Sequence, residues 1–412
     1  MLKQAGADQW DMKTLRQLAQ INYGRDAKPI LDPYGTYPVY GTGESSRCGT
    51  SYLYDGDSVV LGRKGTIGRV QFVTGSFWTI DTAYFLSKFS ECEPRWIYYV
   101  LSSFDLRSLN EATGVPSLAR EVLYRLPVST PPPPEQSKIA EVLSTVDWAI
   151  AQTEALIAKQ QRIKTGLMQD LLTRGIDEHG QLRSEATHAF KDSPLGRIPV
   201  EWESDSIVSS MDQIMDFRGR TPKKLGLDWG GEIPALSAMN VEMGKLNFQK
   251  HTNFGDENLY GRWMTHGDAK KGDVIMTTEA PLGNVAQIPN NERYILSQRV
   301  ILLRGKVGVI DNKFMRHYLS AQLFRKTMHE QSSGTTATGI QRRKLEQLLI
   351  RIPPIDEQAN ISAVIDGCDG EIEVATGQRE KFSCLKTALM QDLLTGKVRV
   401  TPLLQPAKEA TA

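Results

Sequence analysis

The sequence lacks the features that mark a secreted, membrane or metal-binding protein. It holds few cysteines for 412 residues, and Cys48, Cys92, Cys368 and Cys384 are too scattered to form a C-x-x-C metal pair. No apolar run approaches the roughly 18 residues of a membrane span, and the first twenty residues have no apolar signal-peptide core. We therefore expect free thiols, a cytoplasmic location and no membrane contact.

Catalytic motifs are also missing. There is no G-x-G-x-x-G, and Gly396-Lys397 is followed by Val398 where a Walker A motif needs serine or threonine. The Asp32-Pro33-Tyr34 segment lacks the second proline of an amino-methyltransferase loop, and the histidines form no H-x-x-x-H pair. We predict a non-catalytic protein with no catalytic residue, no metal site and no cofactor.

Charge is almost balanced over the whole chain but is unevenly distributed. The formal net charge is +1, and by range it is about +1 over 1–131, about zero over 132–176, about +5 over 190–352 and about −3 over 353–412. The basic excess in the third range favours contact with a polyanion. A chain of this length has room for two or three domains.

What is present is an internal repeat with an offset of about 222 residues. The matching segments are Pro131-Pro132 with Pro353-Pro354, Glu135-Gln136 with Glu357-Gln358, and LMQDLLT at 167–173 with LMQDLLT at 389–395. Each repeat follows a proline start with an apolar stripe at alternating three- and four-residue steps, which predicts a coiled-coil helix that ends near Gly175 or Gly396. A period this long indicates a duplicated domain pair.

The remaining segments complete a predicted α+β architecture. Short β-like runs and turn signals alternate with helical patterns on both sides of the first long helix, and Trp202 takes the part of Trp10. The predicted parts are a first α+β module (1–131), a first long helix (132–176), a polar linker (177–195), a second α+β module (196–352), a second long helix (353–400) and a tail (401–412).

Basic and hydroxyl-rich turns are the best candidates for DNA contact. Lysine and arginine neutralise phosphates or pair with guanine edges, and serine or threonine contacts either. The candidates are Arg63, Lys64 and Thr66 in a turn between two predicted strands; Arg218, Arg220, Thr221, Lys223 and Lys224 in a compact basic loop; and Thr335 and Arg342 in or after a hydroxyl-rich loop.

These motifs resemble the specificity subunit of type I restriction–modification enzymes. The marks are the Gly-x-Ile-Pro-x-x-Trp run at 196–202, the Gly-Arg-Thr-Pro-Lys loop at 219–223, and the Pro-Pro-x-x-Glu-Gln start of both long helices. The first half departs from the pattern, since Gly24 to Lys28 lacks the Thr-Pro pair. The resemblance spans essentially the whole chain.

The resemblance implies two target-recognition domains that each read one half of a bipartite asymmetric site on double-stranded DNA. It also implies two antiparallel helices that act as a coiled-coil spacer, dock two methyltransferase subunits and give the chain a pseudo-two-fold duplication. A restriction/translocase subunit joins the full complex, and methylation and cleavage reside in these partners. A helix of about forty residues is about 60 Å long, which suits half-sites one to two DNA turns apart.

Two alternatives remain at this point. The first is that the chain itself is a nucleic-acid methyltransferase with divergent motifs, which stoichiometric S-adenosylmethionine binding would favour. The second is that it is a coiled-coil scaffold without DNA contact, which an unchanged methylated sequence after exchange of residues 1–130 would favour.

Overall fold

The chain folds into two compact units. The computed structural model describes residues 10–43, 47–333 and 338–404. Unit 1 comprises Met1–Ala155 and Thr376–Ala412, and unit 2 comprises Leu156–Ala375. Both units mix helices with strands, which confirms the predicted α+β class. Within the described part of the chain, no helix is both long enough and apolar enough to cross a membrane.

Unit 1 contains short strands and three short helices before the first long helix. Its strands are β1 (Asp11–Thr14), β2 (Gln20–Tyr23), β3 (Tyr37–Tyr40), β4 (Arg47–Gly49), β5 (Tyr54–Asp55), β6 (Ser58–Gly62), β7 (Val70–Val73), β8 (Ser76–Thr79), β9 (Ala83–Ser87) and β10 (Pro127–Thr130). Its helices are α1 (Leu15–Leu18), α2 (Pro94–Ser103) and α3 (Arg120–Tyr124), followed by α4 (Pro133–Leu171), whose second half belongs to unit 2.

Unit 2 repeats this composition. Its strands are β11 (Phe190–Lys191), β12 (Ile198–Pro199), β13 (Glu203–Ser206), β14 (Met211–Met215), β15 (Ile233–Leu236), β16 (Val241–Glu242), β17 (Lys245–Leu246), β18 (Asn253–Gly255), β19 (Val274–Thr277), β20 (Val285–Gln287), β21 (Ile295–Leu296), β22 (Val300–Gly305) and β23 (Leu349–Ile352). Its helices are α5 (Ile207–Ser210), α6 (Glu257–Trp263), α7 (Asn312–Ser320), α8 (Gln322–Glu330), α9 (Arg342–Glu346) and the first half of α10 (Ile355–Leu393).

The two units pair their strands in the same order. Unit 1 has an antiparallel sheet β2-β9-β6-β7, and unit 2 has an antiparallel sheet β14-β22-β19-β20. The parallel pair β3–β8 of unit 1 corresponds to the parallel pair β15–β21 of unit 2. The first strand of each module pairs with the last, as β1 with β10 and β13 with β23. Each strand of the four-stranded sheet β2-β9-β6-β7 therefore has a topological counterpart in the sheet β14-β22-β19-β20.

The long helices each contain 39 residues and begin within the proline-rich motifs. Both end a few residues before the predicted spacer boundaries at 176 and 400, and a turn follows each end. Gly175 and Gly396 then adopt φ values of +66° and +72°, the left-handed backbone predicted for these glycines. A Cβ on Gly175 would lie 2.0 Å from the Glu357 carboxylate and 2.5 Å from the Trp202 ring, so only glycine fits.

The repeated LMQDLLT segments contribute to the core of each unit. In unit 1, Leu393 and Leu394 are buried with Ile139 of α4, and in unit 2, Leu171 and Leu172 are buried in the cluster that includes Ile361 of α10. The shared sequence thus places a leucine pair in each core, where burial of a leucine side chain contributes about 1.5–3 kcal/mol.

The predicted apolar stripe is only partly buried. Thr153 is buried, whereas Leu156 and Ile163 on α4 and Val364 and Leu385 on α10 are each more than 40% exposed. Periodicity alone does not separate side chains that face a partner helix from side chains that face solvent or another protein.

The segment predicted as a linker, 177–195, lies within unit 2 and contains ordered turns. Strands β11 and β12 form an antiparallel pair, and the Asp177 carboxylate accepts backbone hydrogen bonds from His179 and Gln181 at 2.9 and 2.8 Å. Arg183 is buried against Glu357. Such local turns and single buried contacts leave no periodic pattern in the sequence.

Candidate nucleic-acid interface

The first candidate surface is the turn between β6 and β7 in unit 1. The Arg63 guanidinium donates to the carbonyl oxygen of Asp81 at 2.9 Å and lies over the Tyr23 ring. Lys64 and Thr66 are exposed, and the described residues offer no hydrogen-bond partner to either side chain. Lys64 forms an isolated antiparallel bridge with Ser117, so its backbone is fixed. The turn therefore presents one ammonium group and one hydroxyl group on a held backbone.

The counterpart turn in unit 2, after β19, makes the same backbone contacts but carries different side chains. Thr278 donates its N–H to the carbonyl of Arg299 at 2.9 Å, as Arg63 does to Thr82 at 2.9 Å. Glu279 forms an antiparallel bridge with Gly339, as Lys64 does with Ser117. The following residue has positive φ in both turns. A carboxylate thus occupies the position of the Lys64 ammonium group, and a search for basic residues misses it.

The predicted basic loop of unit 2 is largely engaged in internal contacts. Arg220 donates to the carbonyl oxygen of Trp263 and, at 3.1 Å, to the hydroxyl of Thr265. Thr221 caps the short helical turn that follows, and Lys224 Nζ donates to the carbonyl oxygen of Gly219 at 2.6 Å. Lys223 is exposed and has no side-chain partner among the described residues.

Arg218 is held beside a buried carboxylate. Its guanidinium donates to both oxygens of Asp216 and to the carbonyl oxygen of Ile340 at 3.2 Å. Burial alone would raise the pKa of Asp216, but the hydrogen bonds from Arg218 outweigh it and the pKa is lowered. Arg342 pairs with Glu346 at 2.6 Å, and Thr335 lies outside the described residues. Arg218 therefore connects β14 to the segment around Ile340.

Two open clefts lie on the part of unit 2 that carries these loops. The first has a volume of about 540 Å³ and is lined by Asp216, Arg218, Thr278, Glu279, Ser333 and 339–342. The second, about 440 Å³, is lined by 220–223, Asp228, Trp229, 237–239, His251, Asn253, Ala280 and 297–299. Five of the ten sequence-predicted residues line these clefts: Arg218, Arg220, Thr221, Lys223 and Arg342.

The Glu-Gln pair at each helix start ties the helix to its module. Gln136 Oε1 accepts from the N–H of Glu93 at 2.7 Å, and its Nε2 donates to the carbonyl of Pro131 at 2.8 Å. Gln358 makes the equivalent bonds, accepting from Asp311 at 2.8 Å and donating to Pro353 at 2.8 Å. These buried hydrogen bonds explain why the motif recurs in both halves.

The glutamates are buried, and each forms an ion pair with an arginine. Glu135 pairs with Arg399 at 2.6 Å, and Glu357 pairs with Arg183 at 2.5 Å. Glu357 also accepts from Trp202 Nε1 at 3.0 Å and from the backbone N–H of Ile176 at 2.9 Å. Sequence reasoning missed both arginines, because each lies far along the chain from its partner and has no counterpart at the repeat offset.

One group of side chains has the composition of a metal site. His317, Asp366 and Asp369 of unit 2 bring their ligand atoms within 4.8 Å of one another. Arg316 pairs with Asp366 at 2.5 Å, and Lys164 pairs with Asp369. Both carboxylates therefore already have cationic partners, and the cluster acts as a polar contact between α7, α10 and the end of α4.

Comparison with known proteins identifies the family. Residues 7–161 and 199–381 match the family described as the type I restriction modification DNA specificity domain. The chain belongs to this family. Specificity subunits are the DNA-recognition component of type I restriction–modification enzymes and are not catalytic, so the predictions of family, of DNA recognition and of a non-catalytic role are confirmed.

Individual relatives agree with this assignment. The chain is 28% identical over 303 residues to the MjaVIII specificity subunit of Methanocaldococcus jannaschii, which covers 72% of this chain and 68% of the relative. Its fold is similar to that of the S subunit from M. genitalium, with a TM-score of 0.62, 16% identity, and coverage of 95% of this chain and 98% of the other. A chain from a structure describing complex assembly of the type I system gives a TM-score of 0.54 at 14% identity and covers 95% of this chain and 99% of the other.

Proposed function

We propose that this specificity subunit reads a bipartite asymmetric DNA site, with one half-site for each recognition module. The two modules share a strand order but present different residues at the counterpart turn, Lys64-Gly65-Thr66 in unit 1 and Glu279-Ala280-Pro281 in unit 2. Because side chains at a fixed framework position read base edges by their hydrogen-bonding groups, unlike turns select unlike bases. This difference between matching frames is the observation that carries the proposal.

Among the predicted DNA-binding residues, we propose that Lys64, Thr66 and Lys223 make direct contacts. Their side chains are accessible and have no partner among the described residues. Arg218, Arg220 and Thr221 have internal partners, which supports a role in shaping the clefts of unit 2. A net charge of only +1 predicts weak phosphate binding by the isolated chain and a shallow dependence on salt.

We further propose that α4 and α10 form an antiparallel coiled-coil spacer produced by an internal duplication. Within unit 1, Lys386 pairs with Asp147 at 2.6 Å, and Arg379 pairs with Glu154 at 3.7 Å. Residue numbers therefore increase along α4 as they decrease along α10, as in an antiparallel pair. Within unit 2, Lys164 pairs with Asp369, and the repeat offset relates this pair to Lys386–Asp147. Reciprocal pairs of this kind are what a two-fold duplication produces.

The same helices are the proposed docking surface for two methyltransferase subunits, through which a restriction/translocase subunit joins. Ile163 and Leu385 occupy matching repeat positions and are 42% and 46% exposed. In unit 2, the repeat segment also lines a groove of about 580 Å³ with Met168, Leu172, Phe324 and others. Large apolar side chains exposed at equivalent places support two similar partners. We place this assembly in the cytoplasm.

Selection of duplexes from a randomised library by the full-length chain, with its methyltransferase subunits present, tests the proposal. The expected result is two short consensus blocks separated by a spacer of fixed length and random sequence. Lys64→Ala should weaken preference in one block only, by roughly 5- to 150-fold at the affected pair. The matched control is Lys88→Ala. Lys88 is an exposed lysine directly after the C-terminal end of β9, and its replacement should leave both blocks unchanged.

Two results would contradict the proposal. A single contiguous consensus would exclude two separate readers. A Lys64→Ala effect spread evenly over all sequences would make Lys64 a phosphate contact and not a base contact.

A further inference from the structure

A charged pair separates the two clefts of unit 2. Glu279 lines the larger cleft, Arg299 lines the smaller one, and Arg299 Nε lies 3.1 Å from Glu279 Oε1. The side chains are 41% and 48% exposed, so the pair is accessible from solvent. Among the described residues, neither Nη atom of Arg299 has a hydrogen-bond partner.

The backbone holds both residues firmly. Glu279 forms an antiparallel bridge with Gly339, and the neighbouring Thr278 donates its N–H to the carbonyl of Arg299 and accepts at its own carbonyl from Ile340. Arg299 has a φ of +65°, a conformation that non-glycine residues adopt infrequently and that clusters at functional sites. The pair is therefore displayed at a set place, with its guanidinium orientation limited by the ion pair.

We propose that Glu279 and Arg299 together read one C·G base pair, a specificity that rests on the DNA recognition proposed above. In the major groove, guanine presents the O6 and N7 acceptors and cytosine presents the N4 amino donor beside O6. Arg299 donates through its two Nη groups to O6 and N7, while Glu279 accepts from N4. A contiguous donor and acceptor on the protein thus match a contiguous acceptor and donor on the DNA.

A carboxylate also discriminates by repulsion. Glu279 offers only acceptors, so a base pair that places O6 of guanine or O4 of thymine against it leaves two acceptors opposed. Phosphates repel it as well, which makes a nonspecific backbone contact unfavourable at this place. The counterpart residues in unit 1 are Lys64 and Thr82, which offer no carboxylate, so the proposed C·G reading belongs to unit 2 alone.

The residue before Glu279 carries a buried polar group without a partner. Thr278 is fully buried, its residue lines the larger cleft, and its hydroxyl has no hydrogen-bond partner among the described residues. A buried hydroxyl without a partner costs free energy.

Selection from randomised duplexes by the full chain in its methyltransferase complex, followed by competition binding on single-pair variants, tests the pair. Wild type should require a C·G pair at one position. Arg299→Ala should reduce discrimination there by roughly 5- to 150-fold and leave the other positions unchanged. Arg299→Lys keeps the charge but not the planar fork, so it should lose discrimination while it retains more affinity than Arg299→Ala. Glu279→Gln should relax the same position.

Arg293→Ala is the matched control. Arg293 is 50% exposed and ion-paired with Glu257 in the same unit, but it lines neither cleft, so its replacement should change no position of the consensus. Thermal unfolding of each variant checks that unit 2 stays folded.

Three outcomes would overturn the proposal. An Arg299→Ala effect equal on all sequences, with a reduced salt slope, would make Arg299 a phosphate contact. An unchanged consensus in both Arg299→Ala and Glu279→Gln would remove the pair from the interface. A wild-type complex without any sequence preference would overturn both this inference and the proposed function, whereas a clear bipartite consensus unaffected by these changes would overturn this inference alone.

Discussion

Replacement of Glu357 by alanine should strongly destabilise unit 2. This carboxylate is 7% exposed and accepts from Arg183 at 2.5 Å, Trp202 at 3.0 Å and the Ile176 backbone at 2.9 Å. Glu357→Ala leaves the Arg183 charge, which is also buried, without its partner. Removing one member of a buried ion pair costs about 3–5 kcal/mol, since the remaining charge stays desolvated. For a unit of this size, that loss corresponds to a fall in Tm of about 6–20 °C.

Urea unfolding of the full-length chain, followed by tryptophan fluorescence and circular dichroism, measures the effect. The double variant Glu357→Ala/Arg183→Met should recover at least about half of the loss, because it removes the unpaired charge. Glu373→Ala, an exposed glutamate on the same helix, should change stability by less than about 0.5 kcal/mol. A loss below about 1 kcal/mol for Glu357→Ala, or no recovery in the double variant, would refute the assignment of the pair as a buried link between the helix start and its module.

Three further predictions concern the spacer, a thiol and a histidine. Insertion of seven residues into each long helix adds about 10 Å and should lengthen the DNA spacer by about three base pairs, with duplex selection as the assay and an unchanged spacer as the contrary result. Burial raises the pKa of Cys92 to about 12. A thiol reagent at pH 8 should therefore label the exposed Cys384 at least about a hundredfold faster than Cys92 in the folded chain. Equal labelling rates would contradict the burial of Cys92. Burial and the Arg316 charge lower the pKa of His317 to about 4, although Asp366 acts in the opposite direction. The unfolded state therefore binds more protons than the folded state between about pH 4 and 6.5, and the free energy of unfolding should fall as the pH drops through this window. His317→Gln should make this dependence on pH less steep.

The sequence predicts the regular elements of this fold closely where several local signals agree. Both long helices begin at the predicted proline-rich motifs, and a left-handed glycine follows the end of each. Proline at a helix start, apolar periodicity and glycine after a helix end are all local signals. Helix α10 forms with these signals although it contains Gly367, Gly370 and Gly377. The main antiparallel sheets of the two modules have the same strand order, which supports the duplication that we propose from the repeat.

Contacts between distant residues are not predictable in the same way. Arg399 and Glu135 are 264 positions apart, and no pattern in the sequence connects them. The turns and the buried Arg183 of the segment 177–195 could not be predicted, because short turns and one buried arginine leave no periodic pattern. Among the residues that we propose for DNA contact, Lys64 and Lys223 were selected by their positive charge. Glu279 was not, because its proposed role depends on a framework position that only the fold reveals.

The most direct test of two independent readers is a map of methylated adenines across the genome of cells that express a module exchange. In this experiment, residues 10–131 are replaced by the corresponding module of another specificity subunit, and the rest of the chain is kept. We predict that one half of the methylated sequence changes while the other half and the spacer length stay the same. A methylated sequence that is unchanged, or altered in both halves, would contradict the account.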